Sequence, residues 1–161
     1  MVTSEQATKM VNMRDLVFMP FHESHMERII PSQADLELFD AMGNLPARLE
    51  AIANADHAWT VFYKMQPALC LGVEVKWPTN AEAWMVPGRL SIRHGTLLCR
   101  GARRFFDSIG PALGLRRIQI VVSVERKRAM NWAKFLKFQE EGLMKAYGPE
   151  GYDYMMYARI Y

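Results

Sequence analysis

The chemistry-bearing residues of this chain concentrate where a strand hands over to a basic helix. Residues 82–86 read as the strand and Pro87, Gly88 and Arg89 as a turn. Ser91-Ile92-Arg93-His94-Gly95-Thr96 then leads into a helical pattern that lasts until Gly110-Pro111. A helix opening just behind a strand presents backbone N–H groups without intrahelical partners and the positive end of its dipole, which suits a phosphate. Arg100, Arg103 and Arg104 add positive charge along the same helix. Capture of a phosphate or pyrophosphate is the chemistry this arrangement points to, although it carries no strict Walker or dinucleotide fingerprint.

The charge distribution sharpens that reading. The net charge of +3 conceals six basic and eleven acidic residues in 1–88, against ten basic and two acidic in 89–128. A basic block of that size attracts polyanions. A solvated helix face is the plain alternative. Nucleic acid is a rival ligand, but no helix-turn-helix, zinc-finger or aromatic RNA-binding signature accompanies the charge.

Other reactive residues point elsewhere. Cys70 and Cys99 make no disulfide framework and fit a reducing cytosol, with burial a commoner state for them than catalysis. His22 and His25 are spaced for one helix face but lack a third residue of metal-ligand type, so no metal site is expected. His94 reads as a first-turn helix residue rather than a base. The twelve methionines fit adaptable core packing.

The elements that must position these residues alternate along the chain. A short strand over residues 12–19 ends at Pro20, and residues 23–30 read as a helix stopping before Pro31. Two more helical pieces follow at 34–41 and 47–53, the second opened by Pro46. Residues 58–64 and 69–76 form a hairpin around Met65-Gln66-Pro67. In its second strand Leu69, Leu71, Val73 and Val75 alternate with Cys70, Gly72, Glu74 and Lys76, the period of a half-buried strand. The basic helix carries an apolar stripe of Leu98, Ala102, Phe105 and Ile109 that packs inward. Residues 118–124 make a strand partly covered on both faces. A helix over 126–137 follows, then strands at 140–147 and 152–161 around Gly148-Pro149-Glu150-Gly151.

Length and composition fit one α/β domain over residues 1–161. Half the residues are hydrophobic, and no apolar run approaches the ~20 residues of a membrane-spanning helix. The start carries no signal-peptide core. A soluble, cytoplasmic protein without a membrane partner is the expectation, and nothing in the sequence sets its oligomeric state.

This order of elements resembles the GCN5-related N-acetyltransferase (GNAT) fold, and within it the small acetyltransferase-like proteins of T7-like phages, one of which is described as an internal virion protein. Trp84-Met85-Val86 with the Arg- and Gly-containing turn, and residues 118–124 followed by 126–138, carry the resemblance. The family's second motif reads Asn-x-x-Ala-x-x-x-Tyr-x-x-x-Gly-Phe. Here Arg126 stands at its Asn, Ala129 matches, Ala133 replaces the Tyr, Lys137 replaces the Gly, and Phe138 matches. Of the family's Arg/Gln-x-x-Gly-x-Gly/Ala loop, Arg93-His94-Gly95-Thr96 remains, with Arg89 and Ser91 nearby.

The resemblance implies a mixed central sheet with two splayed parallel strands, at 82–86 and 118–124, flanked by helices. It implies acetyl-coenzyme A between those strands, with Val86, Ser123 and Arg126 beside it. The pyrophosphate would lie on Ser91, Arg93, His94, Gly95 and Thr96, with Arg89 and Arg100 adding charge. An acetyl group would pass to an amine of a host protein or small molecule. The general base implied is Glu82, then Glu74, and the acid is Tyr147. Ala133 at the tyrosine position also admits a catalytically silent member that keeps the fold as a virion or host-binding protein.

Overall fold

A computed structural model describes residues 2–29, 57–148 and 151–161. The helical expectations at 34–41 and 47–53 lie outside the described residues.

Seven strands form one sheet in the order β1-β2-β3-β4-β5-β7-β6. The strands are β1 (Leu16–Pro20), β2 (Ala58–Tyr63), β3 (Gln66–Trp77), β4 (Asn80–Pro87), β5 (Arg117–Ser123), β6 (Gln139–Met144) and β7 (Tyr154–Ile160). Every pairing is antiparallel except β4 with β5. Parallel neighbours need a crossover, supplied here by α3 (Arg89–Arg93) and α4 (Gly95–Ala112). The remaining described helices are α1 (Ser4–Val11), α2 (Ser24–Ile29) and α5 (Lys127–Phe135). The mixed sheet with a parallel pair, flanked by helices, is the expected architecture.

The main core lies between the sheet and α1, α4 and α5. The predicted stripe of α4 is buried throughout, with Leu98, Ala102, Phe105 and Ile109 all at 3 % exposure or less. Phe105 stacks on Phe18 of β1 and meets Trp59 of β2 edge-on. A smaller cluster on the opposite face joins Met26 and Ile29 of α2 to Cys70 and Val86.

Four expectations are corrected. Thr3 and Gln6 form a capping box that opens α1, a helix the sequence reading left unassigned, and β1 begins only at Leu16. The β2–β3 turn is Lys64-Met65, both at positive φ (46° and 63°), so Gln66 and Pro67 already belong to β3. That two-residue geometry is the one whose twist suits a hairpin. β3 is not half-buried at its start: Pro67 to Val73 are all buried, because α2 covers the face carrying Cys70 and the Trp84 ring fills the space over Gly72. A Cβ built on Gly72 would lie 2.5 Å from that ring. Finally, β6 stops at Met144, where Lys145 and Ala146 turn the chain.

Candidate functional site

β4 and β5 pair over three positions only: Asn80 with Arg117, Ala81 with Ile118, and Glu82 with Gln119. Beyond Glu82 and Gln119 the strands part. β4 continues to Pro87 held by β3, and β5 to Ser123 held by β7. The facing edges of residues 83–87 and 120–123 therefore lie outside any ladder between the two strands. Main-chain N–H and C=O groups along such a wedge require partners from outside the ladder between the two strands.

Each arm of the wedge runs into a helix. On the β4 side, Gly88 caps α3, and its N–H is bonded to Ala68 O at 2.9 Å. Ser91 lies inside α3, with its hydroxyl donating to the Gly88 carbonyl. His94 closes α3 by donating its N–H to Leu90 O (2.9 Å), and its ring sits 4.5 Å from that of Tyr63. α4 then starts afresh, with Leu98 N–H donating to His94 O at 3.0 Å. The amides of Gly95, Thr96 and Leu97 precede that first bond, and no side chain among the described residues caps them. A Cβ added at Gly95 would meet nothing within 4 Å among the described residues. Gly95 and Thr96 thus open α4, while the residues ahead of them form a helical turn rather than a loop.

The arginines divide into two groups. Arg89, Arg93 and Arg100 are exposed around this opening. Arg104, by contrast, donates Nη1 to the carbonyls of Val11 and Asn12 (3.0 and 3.1 Å), closing the C-terminus of α1. The Arg103 guanidinium lies 5.6 Å over the Phe135 ring and ties α4 to α5. Two of the three helix arginines read as ligand-directed therefore already have structural partners.

On the β5 side, Ser123 Oγ accepts from Glu125 N–H at 3.4 Å, and Arg126 occupies the N-cap of α5. Val86 is buried against the smaller cluster, so it offers the wedge main chain only.

The three candidate acid–base residues do not converge. Glu82 is half-buried at the apex of the wedge, facing Glu74 on β3 and Gln119 on β5. It makes no hydrogen bond or ion pair among the described residues, whereas the exposed Glu74 pairs with Lys76 at 2.7 Å. Tyr147 lies in the turn after β6, 54 % exposed, with its ring edge-on to Tyr154 at 5.7 Å. Tyr154 is the register partner of Ser123, so Tyr147 attends the far end of β5. Gln119 to Ser123 is four residues, roughly 13 Å of strand. The family's tyrosine position is closed too, since Ala133 is 2 % exposed in the main core.

Neither cysteine is poised as a nucleophile. Burial pushes the Cys70 thiol up to about 12, against a hydrogen bond from Thr60, and the Cys99 thiol up to about 11. His22 and His25 each use Nδ1 in a 2.8 Å hydrogen bond, to Ser24 and Thr60 respectively.

Residues at the apex that sequence reasoning missed are Arg117, Gln119 and Glu141. Arg117 Nε donates to Gln119 Oε1 (3.2 Å), and its two Nη groups grip the Glu141 carboxylate at 2.9 and 2.6 Å. The Arg-x-Gln spacing on β5 signals a shared face, but nothing in the sequence announces the β6 bulge that brings Glu141 there.

No family model matches this sequence, and no curated protein matches it. Solved structures do. A GNAT-family acetyltransferase from Bacillus anthracis superposes with a TM-score of 0.74 at 16 % identity, covering 91 % of this chain and 95 % of the other. The microcin C7 self-immunity acetyltransferase MccE, in complex with acetyl-CoA and AMP, gives 0.72 at 14 % identity and 94 % coverage of both chains. RimL, the ribosomal L7/L12 alpha-N-protein acetyltransferase in complex with coenzyme A, gives 0.71 at 17 % identity, covering 92 % and 95 %. At these identities the likeness is one of fold, and the fold is that of the GNAT acetyltransferases.

Proposed function

We propose that the protein is an acetyl-coenzyme A-dependent N-acetyltransferase. The observation that carries this reading is the parting of β4 and β5 beyond Glu82 and Gln119, with the uncapped amides of Gly95, Thr96 and Leu97 at the head of one arm. Two of the superposed structures hold acetyl-CoA or coenzyme A, which supports the same ligand here.

The thioester supplies an acetyl group, and the residues of the wedge do the rest. Edges 83–87 and 120–123 align the amides of the pantetheine arm. The first turn of α4 takes the pyrophosphate, and Arg93, Arg89 and Arg100 add charge-assisted bonds. Glu82, without a hydrogen-bond or ion-pair partner among the described residues, takes a proton from the incoming amine directly or through water, which frees the lone pair for attack. With Ala133 buried, the departing thiol draws its proton from water, and its ordinary pKa of ~8.5 makes it a tolerable leaving group unaided. The resemblance to T7-like phage proteins supports a phage source and an acceptor amine on a protein or small molecule of the host cytoplasm.

A second reading is favoured by the buried Ala133 and the distant Tyr147: a fold that binds coenzyme A without turnover and acts as a virion or host-binding protein. Calorimetric titration with coenzyme A, followed by acetylation assays on an amine panel and host lysate, separates the two. Binding with transfer supports the enzyme. Binding without transfer to any acceptor establishes the second reading, and no binding at millimolar ligand removes both.

A further inference from the structure

The two faces of the sheet are covered unequally around the wedge. Side chains alternate between faces along a strand, and register partners on neighbouring strands share one. α4 and α5 pack on the face that carries Ala81 and Ala83 of β4 and Ile118 of β5. Beyond the apex, Met85, Ile120, Val122 and Met155 of that face still lie against the main core.

The opposite face carries Glu82, Trp84 and Val86 on one arm, and Gln119, Val121 and Ser123 on the other. Phe21 and α2 bury its upper corner, where Val86, Cys70 and Met26 join the smaller cluster. Trp84 stands at the rim of that cluster and is half-buried. Its indole lies across Gly72, its register partner on β3, where a Cβ would come within 2.6 Å of Cζ2, Cε2 and Nε1. Phe21 meets the ring in a T-shape, with centres 6.0 Å apart. The ring therefore leans over β3 and borders the wedge without filling it.

Across the wedge, Val121 and its register partner Met156 are also half-buried, yet pack on neither cluster among the described residues. Arg117 Nη2 donates to Met156 Sδ at 3.8 Å and pins that wall. Between the walls stands Glu82, two residues before Trp84 on the same face and roughly 7 Å from it along the strand. Its carboxylate has no ion-pair partner among the described residues, whereas Arg117 is matched by Glu141 and Glu74 by Lys76. A groove with apolar walls and one carboxylate at its closed end suits a cation on an apolar stem. The charge attracts the cation and repels an anionic acceptor, and the walls take methylene groups out of water.

Building on the acetyltransferase reading, we propose that the acceptor is a primary alkylammonium bound on the face opposite α4, with its nitrogen at Glu82 and its methylene chain between Trp84 and the Val121–Met156 pair. Trp84 is the specificity-determining residue, because its indole sets how much of the stem is buried. Glu82 takes one ammonium proton. As the nitrogen forms the amide bond and the thioester C–S bond breaks, a second proton passes through water to the departing thiolate. A lysine side chain and a free aliphatic amine share this chemistry.

The test uses the full chain with acetyl-CoA and two amines of similar basicity, ethylamine and n-pentylamine. Burial of three further methylenes should favour n-pentylamine about fiftyfold in kcat/KM, roughly fourfold for each. Trp84→Leu should cut that preference by raising the KM for n-pentylamine, with the Kd for coenzyme A unchanged. Val121→Ala should act in the same direction from the other wall, and melting curves show that each variant is folded. With 5-fluorotryptophan in the chain, the fluorine resonance missing from Trp84→Leu is that of Trp84. It should move on addition of n-pentylamine and stay in place with ethylamine at the same concentration. A blocked peptide with one lysine separates the sources: faster turnover than n-pentylamine assigns a protein lysine, and slower turnover a free amine. Equal kcat/KM for the two amines, or a Trp84 resonance indifferent to n-pentylamine, overturns the proposal. Where coenzyme binds and an amine is acetylated, that result leaves the enzyme reading standing. Absence of coenzyme binding, or of transfer to any amine, overturns the reading on which the proposal rests.

Discussion

Glu82 and Gln119 are the last residues at which β4 and β5 face each other in register. Everything on one side of this pair is ordinary parallel sheet. Everything on the other is open wedge, leading to the helices α4 and α5. A carboxylate without a partner among the described residues therefore sits where the two strands stop pairing with each other.

The proposed coenzyme site and the helix braces should respond differently to loss of an arginine. Arg93→Ala should weaken coenzyme A binding at least about tenfold, since a charge-assisted bond contributes on the order of 1.5–3 kcal/mol, and leave the melting temperature nearly unchanged. Arg104→Ala should do the reverse. Its two bonds to the end of α1 are worth about 1–2 kcal/mol of stability together, and it lies away from the wedge. Calorimetry and thermal melts on the two variants decide it.

Replacing Glu82 by glutamine should lower kcat by up to the ~10²–10⁴-fold that a positioned base contributes, with coenzyme affinity nearly unchanged. The loss should shrink as pH rises and the acceptor amine deprotonates in solution. Glu74→Gln, whose parent carboxylate is already paired with Lys76, should matter far less. A pH series of initial rates checks both. Full activity in Glu82→Gln at every pH would move the base elsewhere.

Lys137 holds a left-handed backbone (φ 66°) at the position where the family carries glycine. A side chain there costs on the order of 1 kcal/mol relative to glycine. The Lys137–Asp107 contact, 3.2 Å between half-exposed groups, returns little of that. Lys137→Gly should raise the unfolding free energy by about 0.5–1 kcal/mol, and Lys137→Ala should not. Urea denaturation measures the difference.

Burial pushes the Asp107 carboxyl up, but hydrogen bonds from Arg159 and Lys137, together with their charges, outweigh burial and hold it below the usual carboxylate range. A carboxyl depressed on folding adds stability that is present above its unfolded pKa of ~3.9 and is lost as pH falls through its folded value. The melting temperature should therefore drop as the pH is lowered below about 4. Asp107→Asn should be less stable at neutral pH and show a shallower acid dependence. Parallel acid-range melts of the two proteins test the sign.

The sequence by itself determined the elements whose cause is local. Period-2 and period-3.6 patterns placed β3, β5 and α4, because the geometry of strands and helices spaces their apolar side chains at those periods, although the burial of both faces of β3 from Pro67 to Val73 was not readable that way. Gly88 and the first-turn residues of α4 marked the helix opening, since helix ends need particular neighbours. The T-x-x-Q capping box of α1, Thr3 to Gln6, was equally local and readable, though it went unread. What only the tertiary structure decided is how residues far apart in the chain share a place. No local pattern says that Arg104 closes α1 while Arg100 has no such bond among the described residues, because both lie on one helix and differ only in what packs beside them. The exposure of Tyr147 followed from β6 ending three residues early. The row from Glu141 through Arg117 to Gln119 depends on a bulge and on strand order, and those are set by pairing between segments that the sequence keeps tens of residues apart.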